Sequence, residues 1–272
     1  MLKCTMRKIF ILVIFISTLV SARVPNVSAK SYIVMEMNGS IILEHNSKIR
    51  RPIASITKLL VAEQIEPEIL GPSQVKIESI DLASKRSKLK INSSVTQNDL
   101  LQLALIPSNN QAIYALTRVH DSEKIISAVN NTAMARGLSS ISIEEPSGLS
   151  KNNQASAEDL AKFVSYVQNT AIAKISIEPF TSYGHFHSTN PLLGKSGWNF
   201  SLSKTGFTDP AGGCMVTIVE FGGRQVIVVI LASNSATSRW KDLIKIRSQV
   251  ASLDSFWASN TPYQKTKEEV AE

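Results

Sequence analysis

The sequence predicts an α+β fold in which an antiparallel sheet is flanked by helices and a mostly helical lobe lies to one side. Alternating, β-rich segments occur near the start of the chain, in residues 31–45, and again in its last third, in residues 198–233. Between them, helical periodicity dominates. Strands from both ends are therefore expected to join one sheet, while the middle of the chain forms the helical lobe.

The first strands and the first helix are the clearest local elements. The segment "SYIVMEMNGSIILEHN" has two β-rich runs around Asn38–Gly39, a dipeptide that favours a type I′ turn, and predicts a hairpin. "PIASITKLLVAEQI" follows, with Pro52 suited to a helix start and apolar residues at helical spacing. Residues 71–96 predict only loops and short strands. Thr96 and Asp99 then resemble a capping box before another helix.

The remaining elements continue this order. Pro107 ends the helix, "SNN" makes a bend, and "QAIYALTRV" begins the next helix. "DSEKIISAVNNTAMARGL" predicts a helix that ends at Gly137, and "AEDLAKFVSYVQNT" predicts another. "WNFSLSKTGF", "CMVTIVEF" and "QVIVVILAS" are expected to be strands, the last two joined at Gly222–Gly223. "RWKDLIKIRSQVASLDSFW" predicts a closing helix.

Composition and the N-terminus define the domain boundaries. The chain has 272 residues, 43% of them hydrophobic, enough to bury a core without disulfides or metals. A basic stretch precedes a twelve-residue apolar run, which is short of the roughly 20 residues that span a bilayer. This pattern predicts a signal peptide over residues 1–29, a folded domain over residues 30–258 and a polar tail over residues 259–272. An uncleaved membrane anchor is the alternative.

The cleavage site has two candidates, Ala22 and Ala29, because small residues precede both positions. Ala29 is favoured, since a strand begins almost at once at Tyr32. The mature chain then carries 25 basic and 22 acidic residues, too mild and too evenly spread an excess to predict nucleic-acid binding. We expect an exported protein that has no stable membrane anchor after cleavage.

Three short motifs carry the candidate chemistry. Ser55-x-x-Lys58 places a serine and a lysine one turn apart at a helix start, although this spacing recurs at four other pairs in the chain. Ser108-x-Asn110 lies on the predicted interhelical bend. Lys204-Thr205-Gly206 ends an alternating strand and occurs once.

A serine becomes a nucleophile when a neighbouring base takes its proton, and a lysine can be that base only when neutral. Burial and a second ammonium group, here that of Lys204, both lower a lysine pKa.

The order and setting of these motifs resemble the signature of penicillin-binding proteins and serine β-lactamases. Further segments, including "LKINSSVTQNDLLQLALIPSNNQAIYAL", "EEPSGLSKNNQASAEDLAKF" and "STNPLL", are similar to low-molecular-mass D-alanyl-D-alanine peptidases, and most similar to their D-alanyl-D-alanine endopeptidase branch. The similarity runs from about Tyr32 to Ser233. It implies a DD-peptidase/β-lactamase-like fold, a periplasmic location, peptidoglycan stem peptides as substrate and β-lactam antibiotics as covalent inhibitors.

The resemblance also implies roles for individual residues. Ser55 would be the nucleophile and Lys58 its base, while Ser108 would relay a proton to the leaving amine. Asn110 would hold the peptide acyl chain. Lys204, Thr205 and Gly206 would bind the substrate along the strand edge, and the backbone N–H groups of Ser55 and Phe207 would form the oxyanion hole. The sequence around the second motif, Asn109-Asn110-Gln111, departs from the family's familiar forms, which puts the shape of the cleft and the substrate preference in doubt.

Several functions remain open. An endopeptidase is favoured because only 66 residues follow Gly206, which leaves no space for the β domain and anchor that the carboxypeptidase branch commonly adds. A carboxypeptidase is the alternative. A β-lactamase is disfavoured because no Glu-x-x-Leu-Asn segment occurs, and a non-catalytic peptidoglycan binder is disfavoured because Ser55, Lys58 and Lys204 are all present.

Two other signals are discounted, and we expect neither a cofactor nor a metal. Cys214 could be a catalytic nucleophile, but it lies in an apolar run that predicts a buried strand position. His185 and His187 have a spacing that would place both rings on one face of a strand, where they could bind zinc, but no further ligands accompany them. Ordinary exposed histidines are the favoured interpretation.

Overall fold

The computed structural model describes residues 25–69, 73–81 and 89–260, with side chains up to residue 255. The strands are β1 (Ser31–Glu36), β2 (Ile41–His45), β3 (Arg51–Pro52), β4 (Gln74–Lys76), β5 (Ser94–Thr96), β6 (Gln154–Ala155), β7 (Phe200–Thr208), β8 (Gly212–Phe221) and β9 (Arg224–Ser233). The helices are α1 (Thr57–Ile65), α2 (Gln97–Leu105), α3 (Asn110–Val119), α4 (Ser122–Ala135), α5 (Ala157–Val167), α6 (Ala171–Ser176) and α7 (Ser238–Asn260).

The main sheet joins strands from both ends of the chain, as predicted. Its order is β2-β1-β9-β8-β7, and every neighbouring pair is antiparallel. Strand β7 lies at one edge and, within the described ranges, pairs only with β8. Alternation along β9 divides the core: Val228 and Ile230 pack towards α7, whereas Ile227 and Val229 pack towards the helical lobe. The sheet therefore lies between α7 and the helices of the middle.

Helix α1 is the centre of the molecule. Its residues Thr57–Ala62 and Ile65 are buried, so the helix is covered on all sides rather than along one stripe. The helix does not begin at Pro52, as the sequence suggested. Pro52 pairs with Gln154 in the short β3–β6 ladder, and the chain then makes a 3-10 turn over Ala54–Ile56 before α1.

One of the two hairpin turns differs from the sequence prediction in its geometry. Only Gly39 has a positive φ, of 93°, at the β1–β2 turn, so the predicted type I′ turn at Asn38–Gly39 is wrong. The Glu36 amide donates to the Ser40 carbonyl oxygen and closes a loop of three residues, and a glycine in the left-handed region ends such a three-residue loop. Gly222 and Gly223, which join β8 and β9, have φ values of 59° and 82°, as a type I′ turn requires.

The predicted helices are otherwise present. The side chain of Thr96 accepts a hydrogen bond from the Asp99 amide at the start of α2, and Gly137 (φ 71°) follows the end of α4. The short helix α6 had no sequence prediction. No helix in the described ranges is long and apolar enough to cross a bilayer. Most of the predicted signal peptide, residues 1–24, and the tail from residue 261 lie outside the described residues.

Candidate active site

Ser55 lies in the 3-10 turn that enters α1. The preceding residue, Ala54, has a φ of 47°, a left-handed conformation that is unfavourable for a residue with a side chain. The Ser55 hydroxyl accepts a hydrogen bond of 2.8 Å from the Lys58 ammonium group and donates one of 3.3 Å to the Ser147 carbonyl oxygen. The strained turn thus presents the hydroxyl directly to its predicted base.

Lys58 is fully buried and uses its whole donor capacity. Its Nζ donates to Ser55 Oγ at 2.8 Å, to Asn110 Oδ1 at 2.7 Å and to the Ser147 carbonyl oxygen at 2.7 Å. Burial lowers the pKa of Lys58 from 10.5 to about 7, while the negative charge of Glu145 acts in the opposite direction. A substantial fraction of Lys58 is therefore neutral near pH 7, as a general base requires.

Ser108 lies at the bend between α2 and α3, where its φ is 62°. Asn109 caps α3 by accepting a hydrogen bond from the Ala112 amide at 3.0 Å. The Lys204 ammonium group reaches this bend from β7 and donates to Ser108 Oγ at 2.7 Å. Burial, followed by the positive charges of Lys58 and Arg239, lowers the pKa of Lys204 well below its ordinary value. The site thus holds two serine–lysine pairs, and burial is the main cause of both shifts.

Strand β7 forms the opposite wall of the site. The Thr205 hydroxyl lies 2.7 Å from that of Thr189, and the Phe207 side chain is exposed. A Cβ at Gly206 would lie 2.7 Å from the Ser55 amide nitrogen and 2.9 Å from the Ala54 Cβ. The glycine therefore allows the strand edge to approach the nucleophile turn, in addition to the substrate contact predicted from the sequence.

A cleft of about 250 Å³ opens between these elements. Its lining residues are Ser55, Ser108, Asn110, Leu149, Thr189, Thr205, Gly206, Phe207, Thr208 and Arg239. Lys58 and Lys204 lie behind this surface, each hydrogen-bonded to one of its serines. The structure thus brings together every site residue that the sequence motifs indicated.

Arg239, which the sequence analysis missed, also lines the cleft. It is buried at the start of α7 and donates to the Gly206 carbonyl oxygen at 2.7 Å. Its Nε has no hydrogen-bond partner, and no carboxylate forms an ion pair with it among the described residues. Burial lowers its pKa to about 10. In sequence, an arginine at the start of a helix with alternating polar residues is typical of a solvated surface.

The signals discounted from the sequence lie outside this arrangement. Cys214 is buried in β8, as predicted, and burial raises the pKa of its thiol to about 11. His185 and His187 are exposed, but they do not lie in a strand, because His185 occupies a turn with a φ of 49°. The part of the chain that the structure describes contains no group of three or more potential metal ligands.

A serine hydroxyl hydrogen-bonded to a buried lysine, in a cleft walled by an edge strand, is a serine-hydrolase type of site. A family model described as D-alanyl-D-alanine carboxypeptidase, peptidase S11, matches residues 18–235. The chain belongs to this family. The resemblance seen in the sequence motifs is thereby confirmed, and so is the class of enzyme, a serine-type D-alanyl-D-alanine peptidase.

The relatives and the solved structures agree with this assignment. The chain is 27% identical to a D-alanyl-D-alanine endopeptidase of Escherichia coli, over 85% of this chain and 79% of that one. It is 29% identical to a protein of the same name from Pseudomonas aeruginosa, over 81% and 76%. Proteins named D-alanyl-D-alanine carboxypeptidases also match, at 22–26% identity. Penicillin-binding protein D2 of Listeria monocytogenes, in its ampicillin-bound form, superimposes with a TM-score of 0.73 and 28% identity, over 82% of this chain and 97% of that one. The predicted fold class is confirmed.

Proposed function

We propose that this protein is a serine D-alanyl-D-alanine endopeptidase that cuts the bond between D-alanine and a diamino acid in peptidoglycan cross-links. One observation carries the proposal: Ser55 is hydrogen-bonded to a buried lysine whose pKa is near 7, in a cleft that a free strand edge borders. Relatives named D-alanyl-D-alanine endopeptidases provide the substrate class.

Acylation follows from the two serine–lysine pairs. Neutral Lys58 accepts the Ser55 proton as Oγ attacks the D-alanyl carbonyl carbon, and the carbonyl oxygen becomes an oxyanion. The backbone N–H groups of Ser55 and Phe207 stabilise that oxyanion, a contribution of several kcal/mol. Ser108 passes its hydroxyl proton to the leaving amine and takes one back from the Lys204 ammonium group, which is hydrogen-bonded to it. The C–N bond then breaks, which leaves the D-alanyl group as an ester on Ser55.

The substrate's remaining groups have matching partners in the cleft. In the part of the chain that the structure describes, strand β7 pairs only with β8, so an extended peptide can add to its other edge. The Asn110 Oδ1 is taken by Lys58, which leaves the amide nitrogen for the acyl chain. Arg239 and Thr205 hold a carboxylate on the leaving-group side of the cut bond, because Arg239 is a buried cation that lacks an acidic partner among the described residues.

Water then hydrolyses the acyl-enzyme. With a β-lactam the leaving group remains attached to the acyl group, so the ester persists wherever no base activates water efficiently. The ampicillin-bound form of the Listeria relative supports β-lactam binding here, and the Ser55–Lys58 pair supports a covalent adduct. We therefore infer penicillin inhibition rather than β-lactamase activity.

A D-alanyl-D-alanine carboxypeptidase is the second candidate, since the family description and several relatives carry that name. The chemistry at Ser55 is identical, and only the leaving amine differs. Both activities act on a wall polymer outside the cytoplasm. We therefore propose that the protein is exported to the periplasm, that residues 1–29 contain its signal peptide, and that it contributes to cell-wall biogenesis and cell shape.

Intact mass after brief exposure to benzylpenicillin, with Ser55→Ala alongside, tests the catalytic proposal. We expect a stable adduct of one penicillin on the wild type and none on the variant. Hydrolysis of the drug without an adduct would indicate a β-lactamase, and neither adduct nor hydrolysis would leave only a binding protein. Digestion of cross-linked and of pentapeptide-bearing muropeptides then separates the two peptidases: loss of cross-links indicates the endopeptidase, and release of terminal D-alanine the carboxypeptidase.

A further inference from the structure

One acceptor at the reacting atoms comes from outside the three motifs. The Ser147 carbonyl oxygen receives the Lys58 ammonium group at 2.7 Å and the Ser55 hydroxyl at 3.3 Å. It therefore fixes both the base and the nucleophile at once. The turn that carries it, residues 145–150, has no regular hydrogen-bond ladder of its own, so other contacts must hold this carbonyl in place.

Those contacts converge on the carboxylate of Glu145. Its Oε2 accepts from the Ser147 amide at 2.8 Å, and its Oε1 accepts from the Gly148 amide at 2.6 Å. The further donors are Ser147 Oγ (2.6 Å), Tyr114 Oη (2.8 Å), Asn153 Nδ2 (3.0 Å) and the Ser150 amide (3.2 Å). Both oxygens are thereby fully engaged, so this carboxylate is not free to activate a hydrolytic water.

The turn is also pressed against the nucleophile. A Cβ at Gly148 would lie 2.0 Å from the Ala54 carbonyl oxygen and 2.7 Å from the Ser55 amide nitrogen. A small displacement of the 145–150 turn would therefore move the backbone that carries Ser55, as well as the acceptor that orients Lys58.

We propose that Glu145 is a positioning residue for the acylation step, because it fixes the turn whose Ser147 carbonyl oxygen orients Ser55 and Lys58. This inference rests on the proposed function of Ser55 and Lys58. It assigns to the 145–150 turn a role distinct from that of the glutamate that drives deacylation in class A β-lactamases.

The charge of Glu145 gives this role a signature that loss of packing alone would not produce. The charged and titratable groups around Lys58 are Glu145, with Tyr114 bonded to it, on one side, and Lys204, with Arg239 behind it, on the other. Among them Glu145 is the carboxylate that favours the protonated form of Lys58. Removing its charge lowers the Lys58 pKa further, so the neutral base forms at a lower pH.

The test is the second-order rate constant of acylation by benzylpenicillin, measured from pH 5 to pH 9. We expect Glu145→Gln to lower the maximal rate about tenfold or more, since misplaced reacting groups cost up to about 100-fold. In the pH–rate profile of the wild type, the acid limb, where Lys58 becomes protonated, lies near pH 7. In Glu145→Gln this limb should move to lower pH. Glu145→Asp keeps the charge, so its limb should stay in place with an intermediate rate. Glu123→Gln is the matched control, because it removes the same charge from an exposed residue of α4, outside the 145–150 turn.

The outcomes separate the two proposals. A wild type that forms no penicillin adduct overturns the proposed function itself. If the wild type is acylated but Glu145→Gln retains its rate and its acid limb, only the positioning role fails. A reduced rate that Glu123→Gln reproduces also overturns the positioning role. If Glu145→Gln does not fold, Tyr114→Phe is the deciding variant, because it removes one hydrogen bond to the Glu145 carboxylate. A lower acylation rate with the acid limb unmoved supports the positioning role. An acylation rate equal to that of the wild type contradicts it.

Discussion

Lys58 and Lys204 are both fully buried, and each donates to the hydroxyl of a different serine. Burial disfavours the charged forms of both lysines, and the positive charge of Lys58 lowers the pKa of Lys204 further. Burial thereby leaves a substantial fraction of Lys58 neutral near pH 7. One of the pair contacts the nucleophile, and the other contacts the hydroxyl proposed to protonate the leaving group.

Arg239 provides the first prediction at this scale. We expect Arg239→Ala to slow acylation by benzylpenicillin on the order of 10- to 100-fold, because a hydrogen bond to a charged group contributes ~1.5–3 kcal/mol. The wild type should discriminate against the penicillin methyl ester, which lacks the carboxylate, and the variant should not. Stopped-flow acylation with both compounds measures this difference.

Arg247→Ala is the control for that experiment, since Arg247 is on the same helix but lies over the Trp198 ring, outside the cleft. It should retain the preference for the free acid. An Arg239→Ala variant that still prefers the acid over the ester would show that the carboxylate binds elsewhere.

At the scale of elements, the contact between the 145–150 turn and the turn before α1 can be tested with two glycines. Gly148 and Gly194 both have a positive φ, of 87° and 73°, but of the two only Gly148 has backbone atoms within 4 Å of the place that a Cβ would occupy. Each Gly→Ala change should cost about 1–2 kcal/mol of unfolding free energy for the left-handed conformation. Gly148→Ala should lose a further ~1–3 kcal/mol from overpacking, and most of its acylation rate.

Urea unfolding and the penicillin acylation rate measure these two effects. Gly194→Ala should be acylated at the wild-type rate despite its lower stability. If Gly148→Ala loses no more stability than Gly194→Ala and is acylated at the wild-type rate, the 145–150 turn can withdraw from Ser55 without consequence for the site.

The segment before β1 is a further element with a testable role. The Ser28 amide and hydroxyl each donate to the buried carboxylate of Asp242 at 2.8 Å, and Pro25 and Ala29 are buried. Cleavage after Ala29 would remove these partners from a buried carboxylate, which is costly. We therefore predict cleavage after Ala22, in contrast to the preference that the sequence suggested.

The intact mass of the exported protein decides between the two sites. A mature chain that begins at Arg23 is expected, and one that begins at Lys30 would contradict the prediction. Ser28→Ala should also destabilise the mature protein by ~1–3 kcal/mol, because it removes the hydroxyl that donates to the buried Asp242 carboxylate, while the backbone amide bond remains. Ser252→Ala, on the exposed side of α7, is the control and should have little effect.

The elements also show how far the sequence could predict the site. The Ser55, Ser108 and Lys204 motifs were found because each combines residue type with a local signal, namely a helix start, a bend or a strand. Arg239 and Ser147 carry no such signal. Arg239 reaches the cleft only because α7 packs on β8 and β9, and Ser147 contributes a backbone oxygen, which no residue type encodes. The hairpin at Asn38 was predicted, but its loop length, and hence its turn type, depends on strand register.

At the scale of the whole molecule, the site lies where the helical lobe meets the sheet. The nucleophile turn and α1 come from near the start of the chain, the Ser108 bend from the lobe, and Lys204 from the edge strand. Their contacts span 52 residues in sequence between Lys58 and Asn110, and 96 between Ser108 and Lys204. The two lysines therefore become buried only when the lobe and the sheet have assembled, so their pKa shifts are a property of the whole folded protein.

That coupling predicts how stability depends on pH. The Lys58 pKa is about 7 in the folded protein and 10.5 ordinarily, so between these values the unfolded chain holds a proton that the folded protein lacks. Stability should therefore rise with pH through this window. Each pKa unit corresponds to ~1.4 kcal/mol, so the Lys58 contribution is a few kcal/mol.

In Lys58→Met this contribution is absent. The stability of the variant relative to the wild type, measured by urea unfolding, should therefore fall from pH 7 to pH 10. Lys162→Met, which removes a surface lysine whose pKa is raised by Glu158, cannot produce a change of that sign. A pH-independent difference between Lys58→Met and the wild type would mean that Lys58 is not held neutral by burial.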